Sequence, residues 1–177
     1  MSTAILCVVA GIPASGKTTL ANALSTAMGA PVVSRDVVRR ELFPTRTYET
    51  AEKEVAFRAV LVVADALLAA GTSCIVEGMP FSRDGELEAA HAVAEKRGVR
   101  CLSIVVDTPV EVAEKRLEST YPTHVTYEPS SDRRPGLARE VALRMRAFPD
   151  TVLLVDGTAS VDRNVEIILT IIEGFSL

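Results

Sequence analysis

Eight residues, Gly11-Ile12-Pro13-Ala14-Ser15-Gly16-Lys17-Thr18, spell G-x-x-x-x-G-K-[ST], a pattern in which every fixed position serves a phosphate. The glycines permit a tight wrap that turns successive backbone N–H groups toward an anion. The start of the following helix adds a partial positive charge at the same spot. Lys17 has the length and charge to reach β- and γ-phosphates, and the Thr18 hydroxyl suits Mg²⁺. The candidate nucleotide residues are therefore Gly11, Pro13, Ala14, Ser15, Gly16, Lys17, Thr18 and Thr19, with Thr18 as the metal ligand. The expected ligand is ATP or GTP with Mg²⁺. An apolar run, Ala4 to Ala10, precedes the loop, and a helix-like segment from Thr19 to Met28 follows it. That strand–loop–helix setting gives the motif its meaning.

Other chemistries find less support. A guanine-reading N-K-x-D is absent, which sets a GTPase aside. The runs Cys74-Ile75-Val76-Glu77 and Ile104-Val105-Val106-Asp107 each end in one acid, without the Asp-Glu pair of a motor ATPase. Cys7, Cys74 and Cys101 sit singly inside apolar runs, which reads as reduced core thiols rather than a zinc or disulfide framework. His91 and His124 are too isolated to suggest a metal site.

Short apolar runs alternate with helical periodicity, the signature of an α/β fold with a parallel sheet. Strands are expected at 4–10, 31–35, 73–77, 100–106 and 151–155, and helices at 17–28, 36–43, 50–70, 84–97, 109–119, 136–147 and 161–173. The near-continuous apolar strands suit burial on both faces. Thr108-Pro109-Val110-Glu111 reads as a capping box with proline at the first helical position. Gly71 and Gly98 read as helix C-caps. Residues 120–135 break the alternation: three prolines, several hydroxyl residues and the pair Arg133-Arg134 fall there without a period. A loop that long in a compact domain is usually functional or disordered.

With 177 residues and 48% hydrophobic content, the chain reads as one domain over residues 1–177. A net charge of −4 argues against an extended nucleic-acid or anionic-membrane surface. No run reaches membrane-spanning length, and Met1-Ser2-Thr3 leads into a strand without the features of a signal peptide, so a cytoplasmic location is expected.

Taken in order, Gly11 to Ala21, Val33-Ser34-Arg35-Asp36-Val37-Val38-Arg39, Ala69 to Gly78 and Val112-Ala113-Glu114-Lys115-Arg116-Leu117 resemble the small P-loop kinases grouped with polynucleotide 5′-kinases and zeta toxins. The resemblance implies a three-layer P-loop kinase fold with a five-stranded parallel sheet in the order 2-3-1-4-5 and a lid at about 120–135. It implies Asp36 as general base toward an acceptor hydroxyl, with Asp36 also able to cap its helix. Arg39 would help hold the acceptor or its phosphate. Glu77 would hold a Mg²⁺-bound water or touch the acceptor, although relatives often have aspartate there. Arg83 would bind substrate or phosphate. Arg116 would stack on the nucleobase or support the lid. The family often repeats an arginine four residues on, where this chain has Thr120, so Arg133 or Arg134 becomes the source of transition-state charge.

The function implied is transfer of the γ-phosphate to a hydroxyl of a small polar metabolite. The acceptor pocket is expected from residues 36–58, 78–84 and the lid, with Phe43, Tyr48 and Phe57 as aromatic surface and Arg39, Arg46, Glu49 and Glu52 as polar handles. Two alternatives stand beside it: a kinase of polynucleotide 5′-hydroxyl ends, for which a short strand end needs only a local arginine cluster, and a non-catalytic nucleotide-binding regulatory module. The acceptor, the preferred purine, the oligomeric state and the catalytic lid arginine stay open.

Overall fold

The computed structural model describes residues 4–45, 49–81, 85–120, 134–145 and 147–174. The elements follow the alternation of the sequence: β1 (Ile5–Ala10), α1 (Lys17–Met28), β2 (Val32–Ser34), α2 (Arg35–Leu42), α3 (Thr50–Ala69), β3 (Cys74–Glu77), α4 (Glu86–Lys96), β4 (Arg100–Asp107), α5 (Val110–Thr120), α6 (Leu137–Ala142), β5 (Leu153–Asp156) and α7 (Val161–Gly174). The strands form one parallel sheet in the order β2-β3-β1-β4-β5, as expected.

The central strand β1 is buried along its whole length, and its side chains divide between two cores. Leu6, Val8 and Ala10 face one side with Val60, Ala64 and Leu68 of α3 and Ala90 and Ala94 of α4. Cys7 and Val9 face the other with Leu20 and Leu24 of α1 and Ile168 of α7. Helices on both faces bury β1 and β3 completely and most of β4, which accounts for their lack of polar alternation, whereas the edge strand β5 departs from the expected burial and leaves Leu154 60% exposed. Burial pushes the Cys7 and Cys101 thiols up to about 12 and the Cys74 thiol to about 11, so all three behave as core apolar groups.

Most boundaries shift by a single residue, and three elements differ from expectation by two residues or more. The helix expected at 136–147 is only Leu137–Ala142: beyond it Arg144 N makes an i→i−3 bond to Val141 O at 3.0 Å, and Met145 N is shared between Val141 O at 3.0 Å and Ala142 O at 3.2 Å, so the regular ladder gives way to a turn. The strand expected at 151–155 starts at Leu153, because Val152 N closes a turn on Pro149 O at 3.0 Å. The helix expected from 84 starts at Glu86, after Gly85 in the left-handed region. No helix among the described residues is long and apolar enough to cross a membrane.

Candidate active site

Parallel strands all end at the same edge of the sheet, and every loop with candidate chemistry leaves from that edge. Gly11 follows β1, Arg35-Asp36 follow β2, Gly78 follows β3, Thr108 follows β4 and Gly157 follows β5.

The phosphate-binding loop is tightly built. Gly11 has φ +140°, and a Cβ there would lie 2.8 Å from both Ser15 Oγ and Val106 O. Ser15 N donates to Ile12 O at 3.2 Å, closing a turn, and α1 begins at Lys17. Lys17 Nζ donates to Ile12 O at 2.6 Å, so the ammonium lies folded over its own loop. Thr18 Oγ1 donates to Glu77 Oε2 at 3.1 Å, and Glu77 is buried at the end of β3. A hydroxyl beside a carboxylate is the hard-oxygen donor set that Mg²⁺ accepts, with one or two protein groups completed by water and phosphate. The residues present therefore fit the expected metal, and the chain would hold it through Thr18 and Glu77. Thr19 is exposed.

Asp36 occupies the first turn of α2, next to this pair. Ser34 is in register with Glu77, so β2 delivers Asp36 beside the strand that carries Glu77. Gly78, with φ +91°, permits the closeness: a Cβ on it would lie 3.2 Å from Arg35 N and 3.3 Å from Asp36 N. Arg39 is 1% exposed, and its guanidinium lies 3.8 Å from the Asp36 carboxylate, one helical turn away. That burial excludes a solvated helix-face arginine. Glu52 is also buried, Phe57 packs against the core and Phe43 is half-buried. Arg46, Tyr48, Arg83 and Arg133 lie outside the described residues.

Arg116 reaches the loop from the β4–α5 side. Its NH1 donates to Ala14 O and to Ser15 O, each at 3.2 Å, and its NH2 donates to Gly157 O at 2.9 Å. Thr108 Oγ1 also donates to Ser15 O, at 2.9 Å, so this hydroxyl serves the loop across 93 positions of sequence. Gly157 N donates to Asp107 O at 2.7 Å. An added Cβ on Gly157 would overlap the Thr108 hydroxyl and come within 2.8 Å of Ser15 O, so only glycine fits. A cavity of about 410 Å³ opens beside the loop, lined by Gly16, Thr18, Arg116, Thr120, Gly157 and Asn164 among others. The far wall is held by Asn164, whose Nδ2 donates to Asp156 O at 2.8 Å. The Thr158 hydroxyl and amide both donate to Asp156 Oδ1, at 2.6 and 2.7 Å, and hold that carboxyl below its ordinary value.

Arg134 lies apart from the loop: its NH2 donates to Glu140 Oε2 at 2.8 Å, and both side chains are about half exposed. Arg144 donates to Glu140 O at the surface.

Sequence reasoning overlooked Thr108 as a loop support, and it overlooked Gly157 and Asn164 altogether. For Gly157 a signal existed: Asp156-Gly157-Thr158 directly follows an apolar run, as a strand-end turn does.

A parallel sheet in this order, with a phosphate-binding loop after its central strand, is the architecture of the P-loop kinases. Residues 6–126 match the AAA domain family over more than half of the chain, and the chain belongs to that family. A comparison with curated proteins gave no match. Among solved structures, the chain is similar to the APS kinase of Mycobacterium tuberculosis in complex with AMPPNP and APS, at 17% identity and a TM-score of 0.74, covering 98% of this chain and 99% of that one. It is also similar to a gluconokinase from Sinorhizobium meliloti (15% identity, TM-score 0.67, 99% and 95% covered). Shikimate kinase from Aquifex aeolicus matches at 19% identity and a TM-score of 0.64, with 97% and 98% covered. At these identities the likeness is one of fold.

Proposed function

We propose that the chain is a phosphotransferase that moves the γ-phosphate of ATP or GTP to a hydroxyl of a small polar metabolite. One observation carries the reading: the phosphate-binding loop, the Thr18–Glu77 pair and the Asp36–Arg39 pair converge on three adjacent strand ends. Phosphoryl transfer needs that convergence, because its catalysis is positioning plus charge stabilisation.

In this reading the loop amides and Lys17 bind the β- and γ-phosphates, and Lys17 exchanges its Ile12 carbonyl for phosphate oxygen. Bound Mg²⁺ supplies charge neutralisation on the phosphates. Glu77, which accepts from the Thr18 hydroxyl, would hold that ion together with Thr18. Asp36 orients the acceptor hydroxyl and takes its proton as the oxygen attacks. Arg39, buried against Asp36, holds that carboxylate in place. Arg83 contributes to the acceptor side. Arg133 or Arg134 supplies positive charge to the transferring group from the 120–135 segment, and for Arg134 this requires release from Glu140. The cavity beside Arg116 has the size and mixed lining of a nucleoside site.

The three similar structures are named as kinases of APS, gluconate and shikimate, which supports a metabolite acceptor over a nucleic-acid end. The narrower kinship with polynucleotide 5′-kinases and zeta toxins rests on the sequence resemblance. A screen with γ-labelled ATP decides among these readings. The expected result is Mg²⁺-dependent label on a hydroxylated metabolite. Label on a 5′-hydroxyl oligonucleotide alone would establish the polynucleotide reading, and nucleotide binding with no transfer would establish a regulatory module.

A further inference from the structure

We propose that Arg116 is a positioning residue that braces the phosphate-binding loop from behind and ties its shape to the β5–α7 junction. The proposal rests on reading the loop as a nucleotide site, and it gives Arg116 a task other than the base stacking implied by family resemblance.

The loop alternates left-handed residues, Ala14 at φ +59° and Gly16 at φ +106°. Alternation of this kind turns carbonyls to one side and amides to the other, forming an anion-binding concavity. For alanine the left-handed conformation is uncommon and is retained only where surroundings hold it. The Arg116 guanidinium is such a surrounding, since it donates to the carbonyls of Ala14 and Ser15. The Thr108 hydroxyl donates to the Ser15 carbonyl as well. Without these donors the outward carbonyls would be left clustered, and the loop could relax by rotating amides away from the phosphate side.

The same guanidinium holds Gly157 O, so the loop and the β5–α7 junction share one brace. Its own backbone is secured, because Ser119 Oγ and Thr120 Oγ1 both donate to Arg116 O at 2.9 Å. A planar fork matches carbonyls from two separate segments, whereas an ammonium is a single point of charge. With its edge committed to carbonyls, the side chain still lines the cavity.

The test uses the full chain as wild type, Arg116→Ala and Arg116→Lys. Titration calorimetry measures inorganic triphosphate with Mg²⁺, and separately adenosine or guanosine, whichever the wild type binds. Loss of charge-assisted hydrogen bonds predicts triphosphate binding weaker by about 10–100-fold in both variants. Nucleoside binding should weaken by a clearly smaller factor than triphosphate binding, since Arg116 also lines the cavity, and circular dichroism and Tm show whether the variants are folded. In ligand-free spectra the Gly16 and Lys17 amide resonances should shift in both variants. Equal weakening for triphosphate and nucleoside would overturn the brace in favour of base stacking. Full recovery in Arg116→Lys would reduce the role to bare charge. Unchanged triphosphate affinity in Arg116→Ala would refute it outright. A wild type that binds no triphosphate would instead refute the nucleotide reading, and the brace with it.

Discussion

Gly157 shows how little room the site leaves at the scale of a residue. Its Cα sits where any side chain would meet the Thr108 hydroxyl, the Ser15 carbonyl and a Val106 methyl together. Gly157→Ala must therefore push the β5–α7 junction off the phosphate-binding loop or move the loop itself. Overpacking of this kind costs about 1–3 kcal/mol. We expect a lower Tm and weaker triphosphate binding; a variant equal to wild type in both would show that the junction yields freely. Thr108 and Gly157 were illegible as site residues for the same reason. Local pattern shows Thr108 as a cap ahead of Pro109, but its donor contact lies 93 positions away. The loop Gly11–Thr18, in contrast, was legible in full, because its chemistry is contiguous and its glycines are demanded by backbone geometry alone. Arg116 falls between: its type and place were readable, while its commitment to three carbonyls required the fold.

At the scale of elements, α5 and α6 flank the segment that carries Arg133 and Arg134, the arginines proposed to act as a lid. Glu114 of α5 accepts from Gly136 N at 2.7 Å and from Arg139 N at 2.8 Å, capping the short helix α6. The Arg139 amide foremost, with those of Gly136 and Ala138, holds the Glu114 carboxyl below its ordinary value of 4.5, against the opposing effect of burial. A depressed value in the folded chain means that the ionised form stabilises it. That stabilisation is complete above 4.5 and is lost as pH falls through the folded value. Glu114→Gln should accordingly lower Tm at neutral pH, and the gap from wild type should close as the solution is acidified below 4.5; a gap independent of pH would contradict the assignment. The sequence legibly marked residues 120–135 as exceptional but overextended α6, because the tightening after Ala142 depends on bonds that periodicity does not report. For the segment itself, replacing Arg133 and Arg134 together by alanine should lower kcat more than it weakens ATP binding, because in the proposed role their contact strengthens in the transition state. Steady-state kinetics beside equilibrium binding checks this, and an unimpaired double variant would leave the segment a plain connection.

For the whole molecule, five parallel strands packed between two helical layers bring separate pieces of sequence to one edge. Strand order was expected from resemblance and is observed. It places β2 and β3 side by side, and so sets Asp36 and Arg39 near the strand that ends in Glu77. Sequence alone named these residues; it could not bury Arg39 or join Glu77 to Thr18, since both follow from packing between elements. The central claim is that this edge transfers a phosphoryl group to a hydroxyl activated by Asp36. The most direct measurement compares wild type and Asp36→Asn for the rate of labelled γ-phosphate transfer to the acceptor and for nucleotide Kd in the same preparations. Loss of a general base predicts a fall of about 10²–10⁴ in kcat with Kd barely moved. Near-normal kcat in Asp36→Asn would contradict the account and leave Asp36 as no more than an acid in the first turn of α2, a helix whose N-cap is Ser34 rather than the Asp36 expected from sequence.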